Sequence, residues 1–396
     1  MREVRMPDRA AIHPARAAIH PARAVAGAVA ATVASVIPVF LVGGLAVQMS
    51  ADLGFSPAGL GLAVAVYFGV SALSSIPTGA LVERYGSATV ARAGILLSAA
   101  AMLAIAGLAR SYAVLLGLLA ASAVANALGQ LSSNSVLAHH VPPGRQGLSF
   151  GLKQAAIPMS TLLAGAAVPT IAVTAGWRWA FVAAALAALT ALPAVPEGRP
   201  VATRTSENGA RNTRALTVVA AAAVLASGSA GALSTFLVDS AASRGLSPSL
   251  AGLTLTFGSI VCVAARILGG AIADRGGGGQ IGGVAAMLVI GAVGLALLAA
   301  DGAAPMMLGV GLGFGLGWAW PGLMNFAVVR LHPHAPAAAT SVTQTGVYAG
   351  AALGPLLLGA VAAQSGYQVM WTVAGTAMLL AAGLMLVGGR LLRHTG

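Results

Sequence analysis

The sequence predicts an all-α membrane protein in which twelve transmembrane helices form two pseudo-symmetric bundles of six. Three observations predict it. Hydrophobic residues fill 58% of the 396 positions and charged residues only 8%, too little charge to cover the surface of a water-soluble domain this long. The apolar residues fall into twelve runs, most of which reach the roughly 20 residues that a spanning helix needs. Finally, the two halves of the chain carry the same landmarks at a nearly constant offset.

Each run is bounded by charged or Pro/Gly-rich gaps. Span 1 covers residues 25–49, and it is too long to be the apolar core of a cleavable signal. Ahead of it, RAAIHPA occurs twice between Arg9 and Ala22. Residues 1–24 are therefore expected to be a disordered, basic tail. Spans 2 to 6 follow at 57–81, 90–109, 112–137, 148–172 and 177–195, and complete a first bundle over 25–195. A polar stretch over 196–214, rich in Arg, Thr, Asn and Gly, reads as a linker. Spans 7 to 12 lie at 215–238, 249–273, 281–300, 304–329, 337–363 and 367–389. They form a second bundle over 215–390, which leaves 391–396 as a short tail. Ala91–Leu108 and Val284–Ala300 are apolar on every side. Spanning strands would alternate with a period of two, so the runs are helices.

Charge sets the expected orientation. With the N-terminus inside, sixteen arginines fall on the inner side and only Arg110, Arg178 and Arg244 on the outer. Lys153 and Arg266 remain within spans. The positive-inside rule then places both termini in the cytoplasm and the protein in the inner membrane, as an even span count requires. The net charge of +12 is thus a topology signal, and no nucleic-acid partner is expected. Cys262 is the only cysteine, so no intrachain disulfide can form. The chain has no phosphate-binding G-x-x-x-x-G-K-[ST] loop, no H-E-x-x-H pair and no paired cysteines. No cofactor, metal or enzymatic activity is expected.

The halves superpose in sequence. An offset of 191 carries Gly54, Ser56 and Pro57 onto Gly245, Ser247 and Pro248, and Gly79, Glu83 and Arg84 onto Gly270, Asp274 and Arg275. An offset of 190 carries Gln154 onto Gln344 and Gly176 onto Gly366. Two same-sense bundles related by an axis along the membrane normal would place a substrate site near the midplane between them.

The segment after span 2 reads GALVERYG from Gly79 to Gly86, and its echo after span 8 reads GAIADRGG from Gly270 to Gly277. GWRWAF opens span 6 at Gly176. With these features the chain resembles the major facilitator superfamily over nearly its whole length. The resemblance implies alternating-access transport of a small solute by a monomer. It also implies a gating role for Gly79, Glu83, Arg84, Gly86, Arg92, Gly270, Asp274 and Arg275. Their contacts would form in one bundle orientation and break in the other. Ser87 and Ala88 stand where the family often has two basic residues, and Arg92 is expected to substitute.

Polar groups inside spans are costly unless they face the bundle interior or water. Asn126, Gln130 and Asn134 share one face of span 4 at i, i+4 and i+8; they either line a cavity or bond helix to helix. Lys153, beside Gln154 in span 5, could snorkel to the interface or serve as an intramembrane cation for an anionic substrate. In span 8, Arg266 could be structurally paired or bind an anion. Its repeat position in span 2 is Ser75, where nitrate-transporting relatives carry a second arginine, so nitrate is not expected. Span 5 reads AGAAVP up to Pro169, unlike the G-P-x-x-G-G element of drug antiporters. In span 10, Gly309, Gly313 and Gly317 invite close packing and Pro321 invites a kink. Trp318 and Trp320 cannot share a face, so at most one of them is expected to meet the substrate. Asn325, Gln344 and Tyr348 complete the candidate cavity. No Asp or Glu lies mid-span, and Asp239, late in span 7, is the candidate for proton coupling. The reading is a secondary transporter. An uncoupled facilitator, or a non-transporting membrane sensor or intramembrane enzyme, stands as the alternative.

Overall fold

A computed structural model describes residues 21–142, 145–195, 213–275, 280–331 and 336–393. Among these residues every regular element is helical. Eleven helical stretches are long and apolar enough to cross a membrane. The last of them, Pro336–Arg393, contains Gly366 at φ 83°, ψ 170°, where the chain turns back. Spans 11 and 12 therefore lie on either side of Gly366, and the count is twelve. Large apolar side chains such as Leu73, Ile272, Leu308 and Leu357 are 60% or more exposed, a surface that suits lipid.

In the first bundle, span 1 is Pro21–Gly44 continued by Ala46–Leu53. Span 2 is Pro57–Tyr85, span 3 Ser87–Leu108 and span 4 Tyr112–His140. Span 5 runs from Gln146–Ala167 through a wider π turn, Val168–Ala172. Span 6 is Trp177–Leu189. In the second bundle, span 7 is Thr213–Ser243, span 8 Pro248–Arg275 and span 9 Gln280–Ala299. Span 10 is broken: Ala303–Leu312, a π turn at Gly313–Gly317, then Pro321–Leu331. Among the described residues, 21–24 and 391–393 are helical, so helix extends into both expected tails. Most of the expected linker lies outside the described residues.

The internal repeat is visible in the turns. Gly54 and Gly245 adopt φ of 70° and 89°, a region that a side chain disfavours. Each turn is followed by a serine cap: Ser56 Oγ accepts from the Gly59 amide at 3.3 Å, and Ser247 Oγ from the Leu250 amide at 3.4 Å. Pro57 and Pro248 then open spans 2 and 8, where a missing N–H costs nothing. Gly176 and Gly366 likewise share positive φ, 97° and 83°.

Small residues let the helices touch. In the second bundle, methyl groups added at Gly346, Gly350 and Gly354 of span 11 would run into the backbone of span 7 at Ala220, Val224 and Gly228. Spans 9 and 10 meet in the same way, with Gly291 and Gly294 against Gly309, Gly313 and Gly317. The glycine stripe of span 10 packs as its spacing predicts.

Candidate functional site

An even number of spans puts both chain ends on one side of the membrane, here the termini side; the other is the distal side. The bundles close on each other distally. A methyl group at Gly43 of span 1 would stand 2.6 Å from the Ser234 carbonyl of span 7. Gly61 of span 2 abuts Pro355 of span 11, and a methyl group at Gly359 would stand 2.6 Å from the Pro57 carbonyl. A methyl group at Gly165 of span 5 would likewise stand 2.6 Å from the Gly252 carbonyl of span 8. Two seams result, one between spans 2 and 11 and one between spans 5 and 8. The second continues toward the termini side through a Thr161–Ser259 hydroxyl pair at 2.5 Å and a close approach of Gly151 to Gly270.

On the first-bundle side of this seam, the face of span 4 is bound to neighbouring helices. Asn126 donates to Ser71 Oγ of span 2 at 3.1 Å, and Ser71 in turn donates to the Ala123 carbonyl. One helical turn further, Lys153 Nζ donates to Gln130 Oε1 and, at 3.0 Å, to Asn134 Oδ1. Lys153 is 3% exposed, so it does not snorkel. Its ammonium stays inside, held by two neutral amide oxygens.

Arg266 spans the seam. Its Nη1 donates to the Gln154 carbonyl of span 5 and its Nη2 to the Trp318 carbonyl of span 10, both at 2.7 Å. The reason is local. In a regular helix the Gln154 carbonyl would accept from residue 158, but that residue is Pro158 and has no N–H. Trp318 sits where span 10 is interrupted between Gly317 and Pro321. The guanidinium thus supplies donors at two breaks in the helical ladder. It also lies 5.5 Å from the Trp318 ring centre, within cation–π range. The Cys262 thiol, one turn earlier in span 8, lies beside the guanidinium, whose buried Nε meets no oxygen or nitrogen partner.

Trp318 packs edge-on to Phe40 of span 1 and Phe314, at 6.0 and 5.4 Å between ring centres. Trp320 is fully buried elsewhere and its Nε1 has no partner. The two tryptophans part as their spacing requires, and Trp318 is the one at the seam. Asn325 is half-buried with an unpartnered Oδ1. Gln344 and Tyr348 bond to each other on span 11. Tyr348 stands within electrostatic reach of Tyr67, whose hydroxyl donates to the Ser35 carbonyl at 2.5 Å.

Of the gating candidates, the side chains of Glu83, Asp274 and Arg275 lie outside the described residues, as does the environment of Gly79. Gly86 ends span 2 with φ 83°, and Arg84 lies over the Tyr85 ring at 5.3 Å. Arg92 is half-buried in span 3. Gly270 meets Gly151, as noted above.

The distal rim carries further ionic groups. In the first bundle Arg178 forms a 2.7 Å ion pair with Asp52 and donates to the Ala109 carbonyl, while Trp177 Nε1 donates to the same carboxylate at 3.0 Å. The hydrogen bond from Arg178, then that from Trp177, hold the Asp52 carboxyl below the usual carboxylate range. In the second bundle Tyr367 donates to Asp239, and Arg244 reaches the Ala300 carbonyl at 2.9 Å. Asp239 is therefore a rim residue. No group of three or more metal-binding side chains gathers among the described residues.

Sequence reasoning missed Ser71, Phe40, Phe314 and Tyr67, which look like ordinary span residues. Pro158 was the available clue, four residues after Gln154.

Comparison with known proteins agrees with this architecture. No curated protein is recognisably similar in sequence. The fold matches two crystal structures of a bacterial homologue of the human lysosomal transporter Spinster. One, inward-facing and occupied, has a TM-score of 0.71 at 16% identity, covering 94% of this chain and 96% of that one. The other, inward-facing and unoccupied, has a TM-score of 0.67 at 15% identity, with 95% and 96% covered. The Major Facilitator Superfamily model matches residues 24–355 and, in a second match, 219–394. The chain belongs to the Major Facilitator Superfamily, whose members are membrane transporters.

Proposed function

We propose that the chain is a secondary transporter that carries a small organic solute across the cytoplasmic membrane, with both termini in the cytoplasm. The observation that supports this most directly is the seam itself. Two bundles touch closely at their distal ends, while buried polar groups lie further toward the termini side: Lys153 with Gln130 and Asn134 in the first bundle, and Arg266 of the second, which reaches across to the Gln154 carbonyl. A site so placed is reached from the termini side when the distal contacts hold, and from the distal side once the bundles rock. The cavity would draw on spans 1, 4, 7 and 10 with help from spans 5, 8 and 11, including Gln154, Gln344, Tyr348 and Asn325. The acids and arginines flanking Gly79 and Gly270 would bias the rocking. The excess of arginine on the termini side supports the orientation.

Solute counterflow in proteoliposomes tests the proposal: external unlabelled substrate should drive uptake of labelled substrate. Absence of exchange with any solute would remove it. Coupling to protons is a separate question, and Asp239 is the acid to examine. The lack of a mid-span carboxylate favours an uncoupled facilitator. Identical rates with and without a pH gradient would support that reading, and an Asp239→Asn variant that loses gradient-driven uptake would reverse it.

A further inference from the structure

We propose that the solute is an organic anion, and that Lys153 is the residue that holds its charged end. This rests on the transport reading above and names the chemistry that its site selects.

Two cations, Lys153 and Arg266, are 3% and 5% exposed within the membrane-spanning region. All nine acids of the chain fall in tails, loops or span ends. The partners these cations do have carry no negative charge: the amide oxygens of Gln130 and Asn134 for one, the carbonyls of Gln154 and Trp318 and the Cys262 thiol for the other. A charge in a low-dielectric interior is normally matched by an opposite charge or a metal ligand. Here two like charges stand on neighbouring helices, and Gln154, which accepts from Arg266, is next in sequence to Lys153. Both charges are left without an acid partner, Lys153 against span 4 and Arg266 between spans 5 and 10.

Donor counting points the same way. An ammonium has three N–H groups, and the two amides use two of them. A guanidinium has five; the two carbonyls take one each, the Cys262 thiol lies beside the group, and no oxygen or nitrogen partner meets Nε. Gln130 and Asn134 act here as acceptors that orient Lys153 without neutralising it, and Asn134 is exposed, so the cluster opens outward at that side chain. A carboxylate or phosphate oxygen arriving beside Asn134 would meet the remaining ammonium donor and gain a charge-assisted hydrogen bond. A cationic solute would meet repulsion from both groups, and a neutral one would leave the charge uncompensated. Arg266, tied to the seam by its two carbonyl bonds, adds to the field from a fixed position.

The test uses the full-length protein in phosphatidylcholine vesicles, so that the bilayer supplies no net anionic lipid. The probes share one body and differ in head charge: phenylacetate and phenyl phosphate, 2-phenylethylamine, and 2-phenylethanol. They are joined by a metabolite library sorted into anions, cations and neutral compounds. Thermal stabilisation and counterflow are both read. Anions should be the stabilising and exchanging class. Lys153→Gln should weaken their apparent affinity about ten-fold or more, while Lys153→Arg should retain most of it. Stabilisation or exchange confined to neutral or cationic compounds would overturn the anion assignment and leave the transport reading standing. So would anion binding unchanged in Lys153→Gln. Silence from every charge class in both measurements would overturn the two together. The charge preference of the unmodified protein decides the matter even if Lys153→Gln does not fold.

Discussion

The two seams are related by the internal repeat, yet they carry different chemistry. At their distal ends they are built alike. Gly61 of span 2 abuts Pro355 of span 11, and the repeat counterparts of those residues, Gly252 of span 8 and Gly165 of span 5, abut each other too. Toward the middle they diverge. The Thr161–Ser259 hydroxyl pair of the 5–8 seam corresponds to Ala351 and Phe68 in the 2–11 seam. Lys153 and Arg266 correspond to Thr343 and Ser75. The steric device that shuts the distal side is thus symmetric, whereas the charge lies on one side. Closing needs two equal contacts for a rigid rocking motion. Recognising a solute smaller than the bundle needs charge at only one place, which frees the second copy to diverge.

The largest expected effect tests the symmetric part. Gly61→Val and Gly252→Val each put a side chain where neighbouring backbone stands, and a close-packed contact has no room for it. Each should lower transport about ten-fold or more, and spin-label distances across the distal rim should widen in both. A loss in one variant only would break the equivalence of the seams.

Next comes Arg266→Met, which strands two carbonyls at breaks in the helical ladder. We expect a stability loss of about 1–3 kcal/mol in unfolding measurements. The cost should shrink in a Pro158→Ala background, because an alanine at that position returns a backbone N–H to the Gln154 carbonyl; a double-mutant cycle would detect the coupling. An unchanged cost would mean that Arg266 acts mainly through Trp318. A smaller effect is expected from Thr161→Val combined with Ser259→Ala, with a coupling energy of about 0.6 kcal/mol, typical of interhelical hydrogen bonds in membranes.

The smallest effect lies at the distal rim. The Asp52 carboxyl is held below its ordinary value of 3.8, so the stabilisation it gives is present above that value and is lost as pH falls through the lowered one. The melting temperatures of the natural protein and Asp52→Asn should differ near neutral pH and converge in strong acid. The pair is partly exposed, 31% and 45% for the two side chains, so solvent keeps the difference small. A difference that grew in acid would contradict the assignment.

Much of the fold was legible in the chain because lipid imposes a simple rule on every span. The turns at Gly54 and Gly245, and at Gly176 and Gly366, could be paired by offset alone, since a positive φ demands glycine in both copies. The site was legible only in parts. Gln130, Asn134 and Lys153 stand out as polar residues in apolar runs, but their spacing does not say that the lysine turns inward to the two amides. Phe40 and Ser71 carry no signal at all, since a phenylalanine or serine in a span is ordinary wherever it points. Arg266 was ambiguous between a structural partner and an anion ligand. The geometry makes it a partner of two carbonyls, through Pro158 and the break before Pro321.

The sequence by itself determined the solvent, the number of crossings, the duplication and the side on which arginine accumulates. These follow from hydrophobicity, length and charge, which are properties of segments and need no knowledge of neighbours. Only the tertiary structure decided which distal glycines meet, that Lys153 is buried on neutral amides, and that Arg266 joins the two bundles. Such contacts link residues on different helices, at least 19 positions apart, and they depend on helix rotation and depth. Rotation and depth are set by packing across the whole assembly, so no local pattern encodes them.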